Sequence, residues 1–277
     1  MSVDESSGGH GRDVSGRRHA GRALAGVLGL LLGVSLVANA VLVRKSLESY
    51  KETNAVRLDP LGLKAYASER ARPEYPADDG HPLLEFFGDS RALMWGKPTV
   101  PGYTVTNRGV GWQTTAQILG RVERDVIDLH PDVVVVEAGV NDLKMIAQFP
   151  ERRAEIVADC EANVAKIVDA CNRAGENVIL ATIFEIGDVD VWRRPFWSED
   201  VSGAVREVNA YFATLAGGRT RILDANGALD DGRGHVQKAM QADYLHVNER
   251  GYAALNERLL PLLSASGKSE ARGAAAP

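Results

Sequence analysis

The chain has 277 residues, enough for one sizeable domain plus an appendage. Its 45% hydrophobic and 25% charged residues are the balance of a folded protein, which excludes a wholly disordered or fibrous chain. A net charge of -5 argues against the basic footprint of a nucleic-acid binder, and the six histidines are scattered with no HExxH or CxxC spacing, so no metal or other cofactor is expected.

Residues 1–22 are rich in Gly, Ser, Arg and His and read as a disordered tail. From Ala23 to Val43 the chain carries no charge, and Asn39 is its one strongly polar interruption. A run of about 20 apolar residues suffices to cross a bilayer core. Arg17, Arg18 and Arg22 precede it and Arg44 and Lys45 follow, so charge bias alone sets no firm orientation. A single N-terminal span before a globular domain suggests a membrane anchor with the domain outside the cytoplasm. The competing reading is a signal peptide cleaved at Ala38-Asn39-Ala40, which would release a secreted protein. The anchor is preferred because the apolar run continues to Val43. Residues 44–80 read as a stalk, with a short helix over Ser46–Val56, turn chemistry at Asp59-Pro60-Leu61-Gly62, and Pro73 and Pro76 beyond. Leu58, Leu61 and Leu63 are candidates for docking on the domain. The domain itself is expected over residues 81–265, with a disordered tail from 266 to 277.

Within the domain, short apolar runs alternate with longer amphipathic ones. Strands are expected at Leu83–Phe87, Tyr103–Asn107, Asp132–Ala138, Asn177–Thr182 and Arg219–Asp224. Val133-Val134-Val135-Val136 is the continuous apolar run of a strand buried on both faces. Helices are expected at Thr114–Leu129, Glu151–Ala174, Val201–Leu215 and Glu249–Leu263. This order predicts an α/β fold, a three-layer α/β/α sandwich around a parallel five-stranded sheet. Cys160 and Cys171 share one helix face about 16 Å apart, too far for a disulfide, and read as small buried hydrophobes.

Ligands of such sheets sit beyond the carboxyl ends of the strands, and the polar segments fall there. Gly88-Asp89-Ser90 follows the first strand, Asn107-Arg108-Gly109-Val110-Gly111 the second and Gly139-Val140-Asn141-Asp142 the third. Asp243-Tyr244-Leu245-His246 precedes the last helix. A serine hydroxyl needs a base to become a nucleophile, and that base needs a carboxylate to fix its tautomer. Asp243 and His246, three apart, can project to one side. The Ser90 N–H, a backbone N–H from the Gly111-Trp112 turn and the Asn141 amide are candidate oxyanion donors. Each segment alone is ordinary loop chemistry; the ordered set is specific.

These four segments resemble blocks I, II, III and V of the SGNH/GDSL hydrolases, in the family's order, over about residues 83–263. The resemblance implies a flavodoxin-like fold and metal-independent ester hydrolysis. It implies Ser90 as nucleophile, Asn141 as an oxyanion donor, and Asp243 and His246 as the rest of a triad. The G-x-S-x-G elbow of the α/β-hydrolases is absent, since position 92 is Ala92. One departure stands out: the family's oxyanion glycine falls at Trp112, with Gly111 just before it. If that turn needs a positive φ, Trp pays more than Gly.

Trp95, Trp192, Trp197 and Tyr244 lie beyond predicted strand ends and are candidates for contacting a sugar face or an acyl chain. The connection from Phe184 to Ser198 is long for a compact domain and suggests a lid or a binding wall; Arg193 and Arg194 read there as a solvated pair. The expected activity is hydrolysis of a small-molecule, glycan or lipid ester through an acyl-enzyme, rising with pH as His246 loses its proton. Two alternatives keep the fold: acyl transfer to an envelope glycan, and a non-catalytic glycan-binding or assembly module, for which Trp112 is the support.

Overall fold

The computed structural model describes residues 11–70, 80–187, 189, 191 and 197–266. It divides into two units, Met1–Asp59 and Pro60–Pro277. Expectations for residues 1–10, Pro73, Pro76, Trp192, Arg193, Arg194 and the 267–277 tail lie outside the described residues.

The first unit is one helix, α1 (Gly11–Leu58). At 1.5 Å per residue it is about 72 Å long. Its stretch from Gly21 has a mean hydropathy of 2.3 over an 18-residue window, with none of that window buried. By length and composition it is long and apolar enough to cross a membrane. Asn39 satisfies itself inside the helix, donating to the Ser35 carbonyl at 2.8 Å. Residues 11–22, expected to be disordered, are helical from Gly11. Once an apolar run nucleates a helix, extension costs little per residue, and Arg17, Arg18 and Ala20 are good helix formers. The helix also runs on through the expected stalk, where Arg44 pairs with Glu48 one turn later at 2.9 Å. It ends just before Asp59-Pro60, where the proline ring forbids continuation.

The second unit holds five parallel strands: β1 (Leu83–Gly88), β2 (Thr104–Gly109), β3 (Val133–Glu137), β4 (Asn177–Ala181) and β5 (Thr220–Leu223). Their order across the sheet is β2-β1-β3-β4-β5, so the chain reverses its winding beside β1. The expected three-layer α/β/α fold is what forms. Alternate strand residues feed two cores. Phe87, Val134, Val136, Val178 and Leu180 pack on one face with α4 (Thr115–Leu119), α5 (Val122–Asp125), α6 (Val140–Leu143), α7 (Arg153–Ala174) and α8 (Asp200–Thr214). Leu84, Phe86, Val133, Val135 and Ile179 pack on the other with α3 (Ser90–Trp95), α9 (Ala225–Leu229) and α10 (Glu249–Ser266). A four-residue turn of helix, α2 (Ala67–Arg70), precedes the sheet. Cys160 and Cys171 are free and buried on α7.

Two expectations are corrected. The single helix over Thr114–Leu129 is three pieces: α4, α5 and a 3-10 turn at Ile127–Leu129. The break falls at Gly120 and Arg121. A Cβ at Gly120 would lie 2.7 Å from Leu61 Cδ2, so a larger residue there would push the docked Leu61 side chain aside. Arg121 leaves helical geometry at φ -119° and turns its guanidinium into the core. The second correction is the domain's start. The folded unit begins at Pro60 rather than 81, because residues 60–66 are tied down. The Leu61 carbonyl accepts from Gln113 Nε2 at 2.8 Å, the Pro60 carbonyl accepts from Gln117 Nε2 at 2.7 Å, and the Tyr66 hydroxyl donates to the Gly109 carbonyl.

Candidate active site

Gly88 ends β1 because β3 runs so close that a Cβ there would fall 1.8 Å from the Glu137 carbonyl oxygen. That oxygen accepts from the Asp89 N–H at 3.1 Å, and the chain then turns into α3. Asp89 is fully buried and caps α3, its Oδ1 accepting from the Arg91 N–H at 2.8 Å. Burial pushes the Asp89 carboxyl up, and the Arg91 charge opposes that. Ser90 is the first residue of α3, so its N–H lacks a partner within the helix. Its side chain is half-buried.

Asp243 and His246 lie on the loop before α10. Asp243 Oδ1 accepts from the Leu245 and His246 N–H groups at 2.7 and 2.9 Å, which closes the loop on itself. The same carboxylate meets the His246 ring, with Nδ1 2.8 Å from Oδ2 and 3.1 Å from Oδ1. His246 Nε2 then lies 2.8 Å from Ser90 Oγ. Partial burial raises the Asp243 carboxyl, but the hydrogen bonds from the His246 ring and from both N–H groups outweigh it, so the group sits below the usual aspartate range. The arrangement is a carboxylate, an imidazole and a hydroxyl in series, able to move a proton off Ser90. Among the described residues, no group of three or more His, Cys, Asp or Glu is placed to hold a metal ion.

The family model for the GDSL-like lipase/acylhydrolase family matches residues 86–254, well over half of the chain. The chain belongs to that family. No curated protein matches it. Solved structures share the fold. A candidate acylhydrolase from Bacteroides fragilis aligns with TM-score 0.59 at 22% identity over 75% of this chain and 98% of its own. A GDSL-like lipase from Bacteroides thetaiotaomicron aligns with TM-score 0.56 at 23% identity over 75% and 98%. By family, then, this GDSL-type protein is an ester hydrolase.

The other side of Ser90 is built from the Gly111–Gln113 turn and the start of α6. A Cβ on Gly111 would sit 4.0 Å from Ser90 Cβ, so this turn flanks the serine. Trp112 does hold a positive φ, 68°, the left-handed region where glycine is at ease. Its side chain is 78% exposed. Asn141 is buried, and its Nδ2 donates to the Gln113 carbonyl at 3.0 Å. Asp142 turns the other way and ties α6 to α4, accepting from the Thr115 N–H at 2.9 Å and the Thr115 hydroxyl at 2.7 Å. Burial lifts the Asp142 carboxyl to about 6 despite these bonds.

The aromatic candidates separate. Trp95 is 5% exposed and belongs to the core, its ring 5.0 Å from that of Phe86 and its Nε1 donating to Asn256 Oδ1 at 2.8 Å. It is therefore not a substrate contact: α3 packs it between Phe86 of β1 and Tyr252 of α10. Trp197 and Tyr244, the latter next to Asp243 in the chain, are half-buried and meet edge to face at 5.8 Å. Trp192 lies outside the described residues.

Four residues that position this site are invisible in the motifs. Arg91 is buried, donates to the Leu245 and Phe184 carbonyls, both at 3.0 Å, and so pins the His246 loop to the nucleophile helix. Arg121 donates to the Gly88 carbonyl at 2.6 Å, the Arg108 carbonyl at 2.7 Å and Gln113 Oε1 at 2.6 Å, joining the ends of β1 and β2 to the flanking turn. Gln113 passes that link to Asn141, and Lys144 contacts Asn141 from its far side. The one available signal was an arginine directly after Gly120 in an otherwise amphipathic segment.

Proposed function

We propose that this chain is a metal-independent serine esterase in which Ser90 attacks an ester carbonyl, His246 takes the Ser90 proton and Asp243 holds His246. An acyl-enzyme forms on Ser90, and a water activated by His246 releases the acid. The observation that carries this reading is the His246 ring, 2.8 Å from Ser90 Oγ on one nitrogen and 2.8 Å from Asp243 Oδ2 on the other. The Ser90 N–H, the backbone of the Gly111-Trp112 turn and Asn141 Nδ2 are the proposed oxyanion donors. Trp112 keeps the left-handed backbone of the turn, which supports donation from its N–H and weighs against a dead site.

The preferred substrate is a small acyl ester on an envelope glycan, with a lipid ester next. Support comes from the apolar α1 ahead of the domain and from the exposed Trp112 in the turn that flanks Ser90. In this reading α1 anchors the domain outside the cytoplasm. Ser90→Ala should abolish hydrolysis of nitrophenyl acetate and labelling by a fluorophosphonate probe, with the thermal midpoint unchanged. Residual activity near the wild-type level would remove Ser90 from the mechanism. Acylated sugar in excess over free acid, with a glycan acceptor present, would make the protein a transferase.

A further inference from the structure

Lys144 belongs to no motif of this family resemblance, yet it touches the proposed oxyanion donor. It opens the 3-10 turn Lys144–Ala147 that follows α6, three residues after Asn141, so the two share a face. Its Nζ lies 2.6 Å from Asn141 Oδ1 and 4.5 Å from the centre of the Trp112 ring.

An ammonium only donates, so this contact fixes which way the Asn141 amide points: Oδ1 toward Lys144, Nδ2 away from it. The amide nitrogen carries two hydrogens. One goes to the Gln113 carbonyl, and the second is left for a negative oxygen forming at Ser90. A positive charge at the carbonyl end of the amide also draws electrons from the N–H end and strengthens it as a donor.

Trp112 completes the device. A non-glycine residue in the left-handed region is strained, and here it displays an indole to solvent. What the ring covers is Lys144. A cation against an aromatic face is attracted to it, and shielding from water strengthens the field of the charge. Burial pushes the Lys144 amine below its usual range, while Asp89 and Asp142 hold it up. We propose that Lys144 is a positioning residue that locks and polarises Asn141 as the oxyanion donor, with Trp112 as its cover. The departure at position 112 and the lysine at 144 are then two halves of one arrangement. The inference rests on the esterase reading above.

The test uses the full chain with nitrophenyl acetate. Lys144→Met should lower kcat by about 10- to 100-fold with KM within twofold, the range of a weakened oxyanion donor. Lys144→Arg should recover most of the loss. Trp112→Gly should lower kcat by about 3- to 10-fold when Lys144 is present and cause no further loss beside Lys144→Met, since coupled residues are not additive. A Lys144→Met enzyme with kcat within twofold of wild type, a loss confined to KM, or losses that multiply in the double variant would each overturn the proposal. Failure of the esterase reading looks different: the wild-type chain would neither turn over esters nor label at Ser90. In that event the Asn141 side-chain amide resonance decides. It should shift in Lys144→Met and stay in place in Lys144→Arg, and an unmoved resonance refutes the contact.

Discussion

The two flanks of Ser90 are built on different principles. On the His246 side, short loops fix the geometry through backbone capping: Asp89 caps α3, and Asp243 accepts from two N–H groups of its own loop before it reaches the ring. On the Asn141 side, a relay of side-chain hydrogen bonds does the fixing, from Arg121 to the Gln113 amide and from the Gln113 carbonyl to Asn141 and Lys144. The first kind of geometry is local and survives drift in the surrounding sequence. The second needs each side chain of a relay in place at once, and Trp112 lies within that relay, its ring against Lys144.

Substitutions can break each flank separately. Asp243→Asn should keep the loop hydrogen bonds to one amide oxygen while removing the charge behind His246, lowering kcat by about 10³- to 10⁴-fold; a loss under tenfold would deny Asp243 its role. Asn141→Ala should cost about 10²- to 10³-fold in kcat with KM nearly unchanged. A loss under tenfold would make donation from Asn141 minor and leave the oxyanion to the backbone.

The His246 flank also rests on a buried charge. Glu137, at the end of β3, lies 3.9 Å from Arg91 and is almost wholly buried. Burial lifts its carboxyl from the ordinary 4.5 to about 8, with Arg91 opposing and Asp89 assisting. Between those two values the folded chain holds a proton that the unfolded chain has released. Its contribution to stability is therefore full at acid pH and falls as pH rises through that window. Glu137→Gln is neutral throughout, so its thermal midpoint relative to wild type should rise from pH 5 to pH 8 by on the order of 5 °C. A difference that stays constant with pH would mean Glu137 is ionised in the fold. The smallest effect belongs to the other flank: Trp112→Gly should stabilise the domain by about 1 kcal/mol by relieving the left-handed strain, even as kcat drops. Unfolding by urea checks this, and a destabilised variant would show that the ring contributes to packing.

Much of this was legible in the sequence. Val133 to Val136 announce a central strand because apolar residues on both faces fit little else, and each of the other four strands falls within two residues of its expected place. The residues now grouped around Ser90 were readable because strand ends are polar only where the chain must turn or bind. Arg91 and Arg121 were not readable as buried: Asp125, four residues after Arg121, marks an ordinary helix pair, while the carbonyls that draw both guanidiniums inward carry no mark in the sequence. Gly120 reads as a tolerable helix residue until Leu61 is seen against it, and residues 60–66 read as stalk because their partners lie some 50 residues downstream. Trp95 misled for a simpler reason. Position after a strand says nothing about which side of a short helix a ring will take.

The tripeptide Gly88-Asp89-Ser90 joins three constraints of different origin. Gly88 keeps two strands at their spacing, Asp89 starts a helix from within the core, and Ser90 alone offers a reactive oxygen. An inactive variant therefore carries three distinct meanings. A side chain at 88 would press on the β3 backbone and report on folding. A change at 89 would shift the helix that aims the hydroxyl. Only at 90 does lost turnover, in a chain still folded, speak about chemistry.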